Sequence, residues 1–288
     1  MAAGGRARGG GRAGATRPAR DRPTRVDLTL PSSLVEQWEL LAEHVERLSD
    51  LELATPSARP GLTVGDLVDR AARSALALHT ALASEPASPA LPASPALPAS
   101  PALPASPAVV SGAAAPGAAV SDQTRPRAMV RAAVSAATAD LTALRLEQRD
   151  AQDQLVSRAA LTPDGRADLI PFLTDAVAEA VLHGLDLGVP PVRSALRVTV
   201  RLFTTSLAER APGRSVELRV PPFAAVQIVE GPRHTRGTPP NVVEAEPVAF
   251  VLVATGRLDW ETAVADGRVR ASGERADLRS LLPLPSWR

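Results

Sequence analysis

Apolar residues recur at helical spacing near the start of the chain. Leu34, Val35, Trp38, Leu41, Ala42, Val45 and Leu48 share one face and predict a first helix over 32–49. A loop between Pro56 and Pro60 follows. Thr63-Val-Gly-Asp66 is a capping-box variant, with Asp where Glu or Gln is usual, and it opens a second helix over about 63–83. A third helix is expected from Pro126 to Leu155. A fourth spans 169–187, with Gly188, Pro190 and Pro191 as stop signals. Four amphipathic helices with one long internal crossover predict a four-helix bundle.

A further helix over about 191–210 leads into a different pattern. Val216, Leu218 and Val220 alternate with Glu217 and Arg219, the mark of a half-buried strand over 215–220. Strands are also expected over 224–229, 242–245 and 268–271. Val248–Thr255 reads as a short apolar helix ending at Gly256, Asp259 as the cap of a turn containing Trp260, and Leu278–Leu282 as a short final helix. The expected fold class is therefore α+β: a helical bundle over 29–189 and an α+β module over 190–288.

Composition narrows this picture. Residues 1–25 hold seven Arg and one Asp, a net +6 in a chain whose total is +1. Ser84–Pro107 repeats the hexamer Ala-Ser-Pro-Ala-Leu-Pro. Neither stretch can bury enough apolar surface to offset its ordering entropy, so a disordered tail over 1–28 and a disordered Pro-rich insert over 84–124 are expected. The tail lacks the aromatic residues that single-strand stacking needs, and a solvated tail is expected rather than a nucleic-acid contact. There is no cysteine, which excludes thiolate ligands, disulfides and a cysteine nucleophile. No apolar run reaches 18 residues and no signal-peptide core is present, so a cytoplasmic protein is expected. All 32 basic residues are Arg.

Two clusters carry candidate chemistry. On the fourth helix Asp175, Glu179 and His183 fall at i, i+4 and i+8, one polar stripe on a helix whose other faces are apolar. Glu179 and His183 could both reach one metal ion, although a zinc site needs at least one further protein ligand. The same pair also reads as an ordinary surface Glu–His pair. In the module, Gly231-Pro-Arg-His-Thr-Arg-Gly-Thr-Pro-Pro-Asn sets Arg233, His234 and Arg236 together on a loop. They could hold a carboxylate, phosphate or sulfate by charge-assisted hydrogen bonds, or pair with Glu230, Glu244 and Glu246 in a rigid strand connection.

Leu51-Glu-Leu-Ala-Thr-Pro-Ser-Ala-Arg-Pro-Gly-Leu-Thr-Val-Gly-Asp-Leu-Val and Glu179-Ala-Val-Leu-His-Gly-Leu-Asp-Leu resemble the DinB-like bundle of the mycothiol-dependent maleylpyruvate isomerase family. That resemblance implies a zinc site made by one His on the second helix and a Glu-x-x-x-His on the late helix. Glu179 and His183 match the second part. The first part closes the run Asp-Leu-Val-x-His, but here the run is Asp66-Leu-Val-Asp-Arg, so Arg70 stands in place of the His. The metal site is expected to be vestigial, with Arg70 facing Glu179. Residues 197–284, densest around Gly231–Asn241 and Thr255-Gly-Arg-Leu-Asp-Trp, resemble the sterol carrier family of actinobacteria. This implies a sterol-carrier-protein-like sheet with helices on one face and room for an apolar ligand between them.

The expected function is non-catalytic binding of a small apolar or amphipathic molecule, anionic if the basic loop holds its head. The alternatives are a zinc- and thiol-dependent transferase or isomerase, and an interaction protein that uses the basic tail and the Pro-rich insert. No cofactor is expected unless zinc is retained. Deleting 1–28 and 84–124 together should leave the folded core intact. Its thermal midpoint should move by less than about 5 °C in a calorimetric scan.

Overall fold

A computed structural model describes residues 29–83, 125–150, 159–162, 165–231 and 241–287. The basic tail and the Pro-rich insert lie outside these residues. Helices α1 (Leu30–Arg47), α3 (Val64–Ala83), α4 (Arg125–Asp150) and α5 (Leu169–Asp186) form the bundle, with α1 and α3 each packed against both α4 and α5. The apolar stripe read from the sequence is the buried one: Leu34, Trp38, Leu41 and Val45 of α1 are almost wholly covered. They meet Val68, Ala71 and Ala75 of α3, Val134 and Leu141 of α4, and Val177 and Val181 of α5. The cap at the start of α3 forms as its sequence predicts. Thr63 N–H donates to Asp66 Oδ2 at 2.8 Å, and Asp66 N–H to Thr63 Oγ1 at 3.1 Å.

Two short features depart from the expectation. The loop before Pro56 contains α2 (Asp50–Ala54), started by a complete capping box between Ser49 and Glu52. Strands β1 (Ala159–Thr162) and β2 (Gly165–Asp168) form an antiparallel hairpin just ahead of α5, where no strand was expected. The described part of α4 ends at Asp150, and residues 151–155 of the expected helix lie outside the described residues.

The module begins with α6 (Arg193–Arg210). It continues with β3 (Val216–Val220), β4 (Ala224–Ile228), β5 (Val242–Ala245), α7 (Pro247–Ala254), α8 (Trp260–Ala265) and β6 (Val269–Ser272). The sheet order is β4-β3-β5-β6; β3 runs parallel to β5, and the other two pairs are antiparallel. Along β3 the alternation holds, with Val216, Leu218 and Val220 buried. Leu278–Leu282 is a hydrogen-bonded turn rather than a helix, and Pro283, which follows it, disfavours helical geometry at Leu282.

Bundle and module share one apolar core. Gly188, at φ +75°, takes the left-handed step that ends α5, a step costly for other residues. Helix α6 then packs on α1 and α5 along one side and on β4 and α7 along the other. Its first turn is tied to the bundle by Val192 N–H, which donates at 2.9 Å to the side-chain oxygen of buried Gln37. The second tie is ionic. Arg257, just after α7, donates through Nε and Nη2 to the two carboxylate oxygens of Asp186 at 2.7 and 2.8 Å. Only about a tenth of either side chain is exposed. Arg257→Ala would leave a covered carboxylate without its partner and should cost about 3 kcal/mol in urea unfolding. Asp186→Ala/Arg257→Ala should cost less than the two single changes added together.

Candidate functional site

Between bundle and module lies a cleft of about 730 Å³. Helix α3 contributes Arg70, Arg73 and Ser74, and the loop after α2 contributes Arg59. From α5 come Asp175, Glu179, Leu182 and His183, and from α6 Leu202 and Ser206. Arg257 and the C-terminal turn residues Ser286 and Trp287 close the far side. That turn is held in place by Leu284 N–H, which donates to Ala254 O at 2.8 Å, and by Trp287 packed on Phe203 with ring centres 5.1 Å apart.

The charges in the cleft are unequal in kind. Arg257 is neutralised by Asp186. Arg59, Arg70 and Arg73 form no ion pair with any described residue. Glu179 accepts a 2.6 Å hydrogen bond from Ser74 Oγ. Desolvation and, secondarily, the neighbouring Glu179 charge raise the Asp175 carboxyl above its ordinary value. The ring of His183 stands 6.0 Å from that of Trp38. Burial pushes its pKa down to about 4; Asp186 opposes the shift, and Arg70 and Arg257 add to it. The imidazole is therefore uncharged at neutral pH.

The geometry brings together Glu179, His183 and Arg70, as the sequence stripe and the altered motif suggest, but not in the expected pairing. Arg70 makes no ion pair with Glu179. Ser74, one turn along α3, is the partner of Glu179, and the Arg70 charge acts on His183 instead. Among the described residues no three His, Asp or Glu side chains converge closely enough to hold a metal ion. Zinc does not fit these described residues, which bring no further His, Asp or Glu close enough to join Glu179 and His183 around one ion.

Arg233, His234 and Arg236 lie outside the described residues. The two ends of their loop are described. Gly231 has a positive φ, and a Cβ there would collide with the Arg275 guanidinium. Arg275 Nη1 donates to Glu230 O at 3.1 Å. At the other end Asn241 donates to Ser215 O at 2.8 Å and accepts from Arg275 N–H at 3.1 Å. Just before the loop Val229 sits at φ +64°, rare for a β-branched residue, fixed by hydrogen bonds to Ala211 and Ser215.

Residues 192–284 match the family model described as bacterial SCP ortholog. No curated protein matches the chain. Among solved structures, the chain is similar to that of the mycothiol-dependent maleylpyruvate isomerase and to that of a mutant of it. Each is 17% identical, with a TM-score of 0.46, and the alignment covers 85% of this chain and 91% of the other. Inside the SCP module, the cavity walled by Leu218, Val243, Phe250, Val253, Trp260 and Leu278 holds only about 10 Å³. That is the room of a single water at most. Among the described residues these side chains leave little room at this point between the sheet and its helices. No helix among the described residues is long and apolar enough to cross a membrane.

The depressed His183 pKa has a thermodynamic consequence. Between pH 6.5 and about 4 the unfolded chain takes up a proton at this site that the folded chain refuses. The stabilisation is complete above pH 6.5 and is lost as pH falls through that window, by on the order of 3 kcal/mol at its lower end. His183→Gln should flatten this part of the pH–stability curve, measured by urea unfolding at a series of pH values.

Proposed function

We propose that the chain binds an amphipathic anion in the cleft between bundle and SCP module, and does so without chemical turnover. The observation that carries this reading is the convergence of Arg59, Arg70 and Arg73, none with an ion-pair partner among the described residues, on a cleft of about 730 Å³. Its size falls in the range of small-molecule sites. Guanidinium groups bind carboxylate, sulfate or phosphate through charge-assisted hydrogen bonds. Leu182, Leu202 and Trp287 give an apolar body something to lie against. The family match over 192–284 supports carrier-like binding, and the nearly filled cavity inside that module directs attention to the cleft instead.

The zinc- and thiol-dependent reading draws on Glu179 and an uncharged His183 reaching the same cleft, and lacks a third ligand among the described residues. The Arg233–Arg236 loop remains a candidate second anion contact. The interaction-protein reading rests on segments outside the described residues. In calorimetric titrations with decanoate, Arg70→Ala and Arg73→Ala should each weaken binding by about 1.5–3 kcal/mol, the worth of a charged hydrogen bond, without changing the melting midpoint. Decanoate binding indifferent to both substitutions would remove the cleft from consideration.

A further inference from the structure

We propose that a second, apolar pocket, a chamber half open between α3 and α5 of the bundle, receives the hydrocarbon end of the anion whose head the cleft holds. This rests on the cleft reading and adds to it the shape of the ligand: an unbranched or slender chain with one charged end. The chamber holds about 270 Å³ and is walled by Trp38, Leu78, Ala81, Phe172 and Ala176, with Ala77 at its margin. Ser74, Asp175 and Glu179 line both spaces. Cleft and chamber therefore meet at the hydrogen bond between Ser74 and Glu179.

The polarity of the two helices that form the passage changes at this level. Along α3 the inward face runs from Arg70, Arg73 and Ser74 to Ala77, Leu78 and Ala81. Along α5, which runs the opposite way, it goes from Phe172 and Ala176 to Glu179 and His183. One end of the combined space is cationic and the other is apolar, with no basic residue among the described residues of the pocket wall.

The boundary also sorts the ligand. Asp175 and Glu179 repel an anionic head from the chamber, while Arg70 and Arg73 hold it on the cleft side. An uncharged chain passes without that penalty and gains by leaving water. The 2.6 Å hydrogen bond from Ser74 of α3 to Glu179 of α5 bridges the two helices at this level, and the chain passes beside it.

The test is a series of straight-chain carboxylates from hexanoate to dodecanoate, titrated calorimetrically into the full chain. Affinity should rise by about fourfold per added methylene while the chain enters the chamber. Ala77→Trp, at the chamber margin, should flatten that rise to under twofold per methylene. Arg70→Ala should lower affinity by a similar factor at every length and leave the rise unchanged. If binding depends on Arg70 but Ala77→Trp does not alter the chain-length dependence, the chamber assignment is wrong and the cleft stands. If no carboxylate binds, both fall. Should Ala77→Trp fail to fold, fluorescence decides. In a Trp260→Phe/Trp287→Phe background, dodecanoate brominated at its terminal carbon should quench Trp38 more than dodecanoate brominated beside the carboxylate. Equal quenching by the two overturns the proposal.

Discussion

The two-pronged ion pair between Asp186 and Arg257 is the constraint on which the cleft depends. It joins residues 71 positions apart, at the last turn of α5 and in the turn after α7. With the Gln37–Val192 hydrogen bond it fixes α6 and α7 against the bundle at two separate points. These ties add direction to the apolar core that bundle and module already share. The ion pair is costly to desolvate and gains little over an apolar contact of the same shape, so its value lies in direction. Two parallel hydrogen bonds define an orientation that packed methyl groups do not.

That orientation decides the electrostatics of the cleft. Arg257 spends its charge on Asp186, next to His183, and so the positive field inside comes from α3 and the α2 loop. His183, half-buried in the cleft wall and in the field of Arg70 and Arg257, stays neutral. A protonated imidazole there would add a fourth uncompensated cation. The neutral ring instead packs towards Trp38 and forms part of the wall between cleft and bundle interior. The site is therefore polarised along α3 and α5 rather than uniformly basic.

Much of the fold was legible because its long elements follow one period. The Leu34–Val45 stripe, the Thr63–Asp66 cap, the stop at Gly188 and the alternation of Val216–Val220 each depend on residues a few positions apart. The failures share a scale. The α2 turn, each strand of the β1–β2 hairpin and the Leu278–Leu282 turn span only four or five residues, too few for helical periodicity to show. At the site, Glu179, His183 and Arg70 were readable from i, i+4 spacing and from one motif position. Ser74 was not, since its pairing with Glu179 depends on the register between helices 105 residues apart in sequence. The Asp186–Arg257 tie was hidden for the same reason, its partners lying 71 residues apart in sequence.

A carrier-like module normally invites a search for ligand space beneath its own sheet. Here Phe250, Trp260 and Leu278 leave little room among the described residues. The consequence is a division of labour. The SCP module contributes a rigid edge, through Arg257 and the Ser286–Trp287 turn, while the bundle contributes both the cations and the apolar depth. Small residues along α3, at Ala77 and Ala81, are what leave that depth open. Larger side chains there would pack the bundle better and abolish the chamber. An apolar cavity left unfilled forfeits contacts that a close-packed interior would make. Its persistence beside a passage bordered by two carboxylates and two arginines is the physical reason to read it as a receptacle rather than a packing fault.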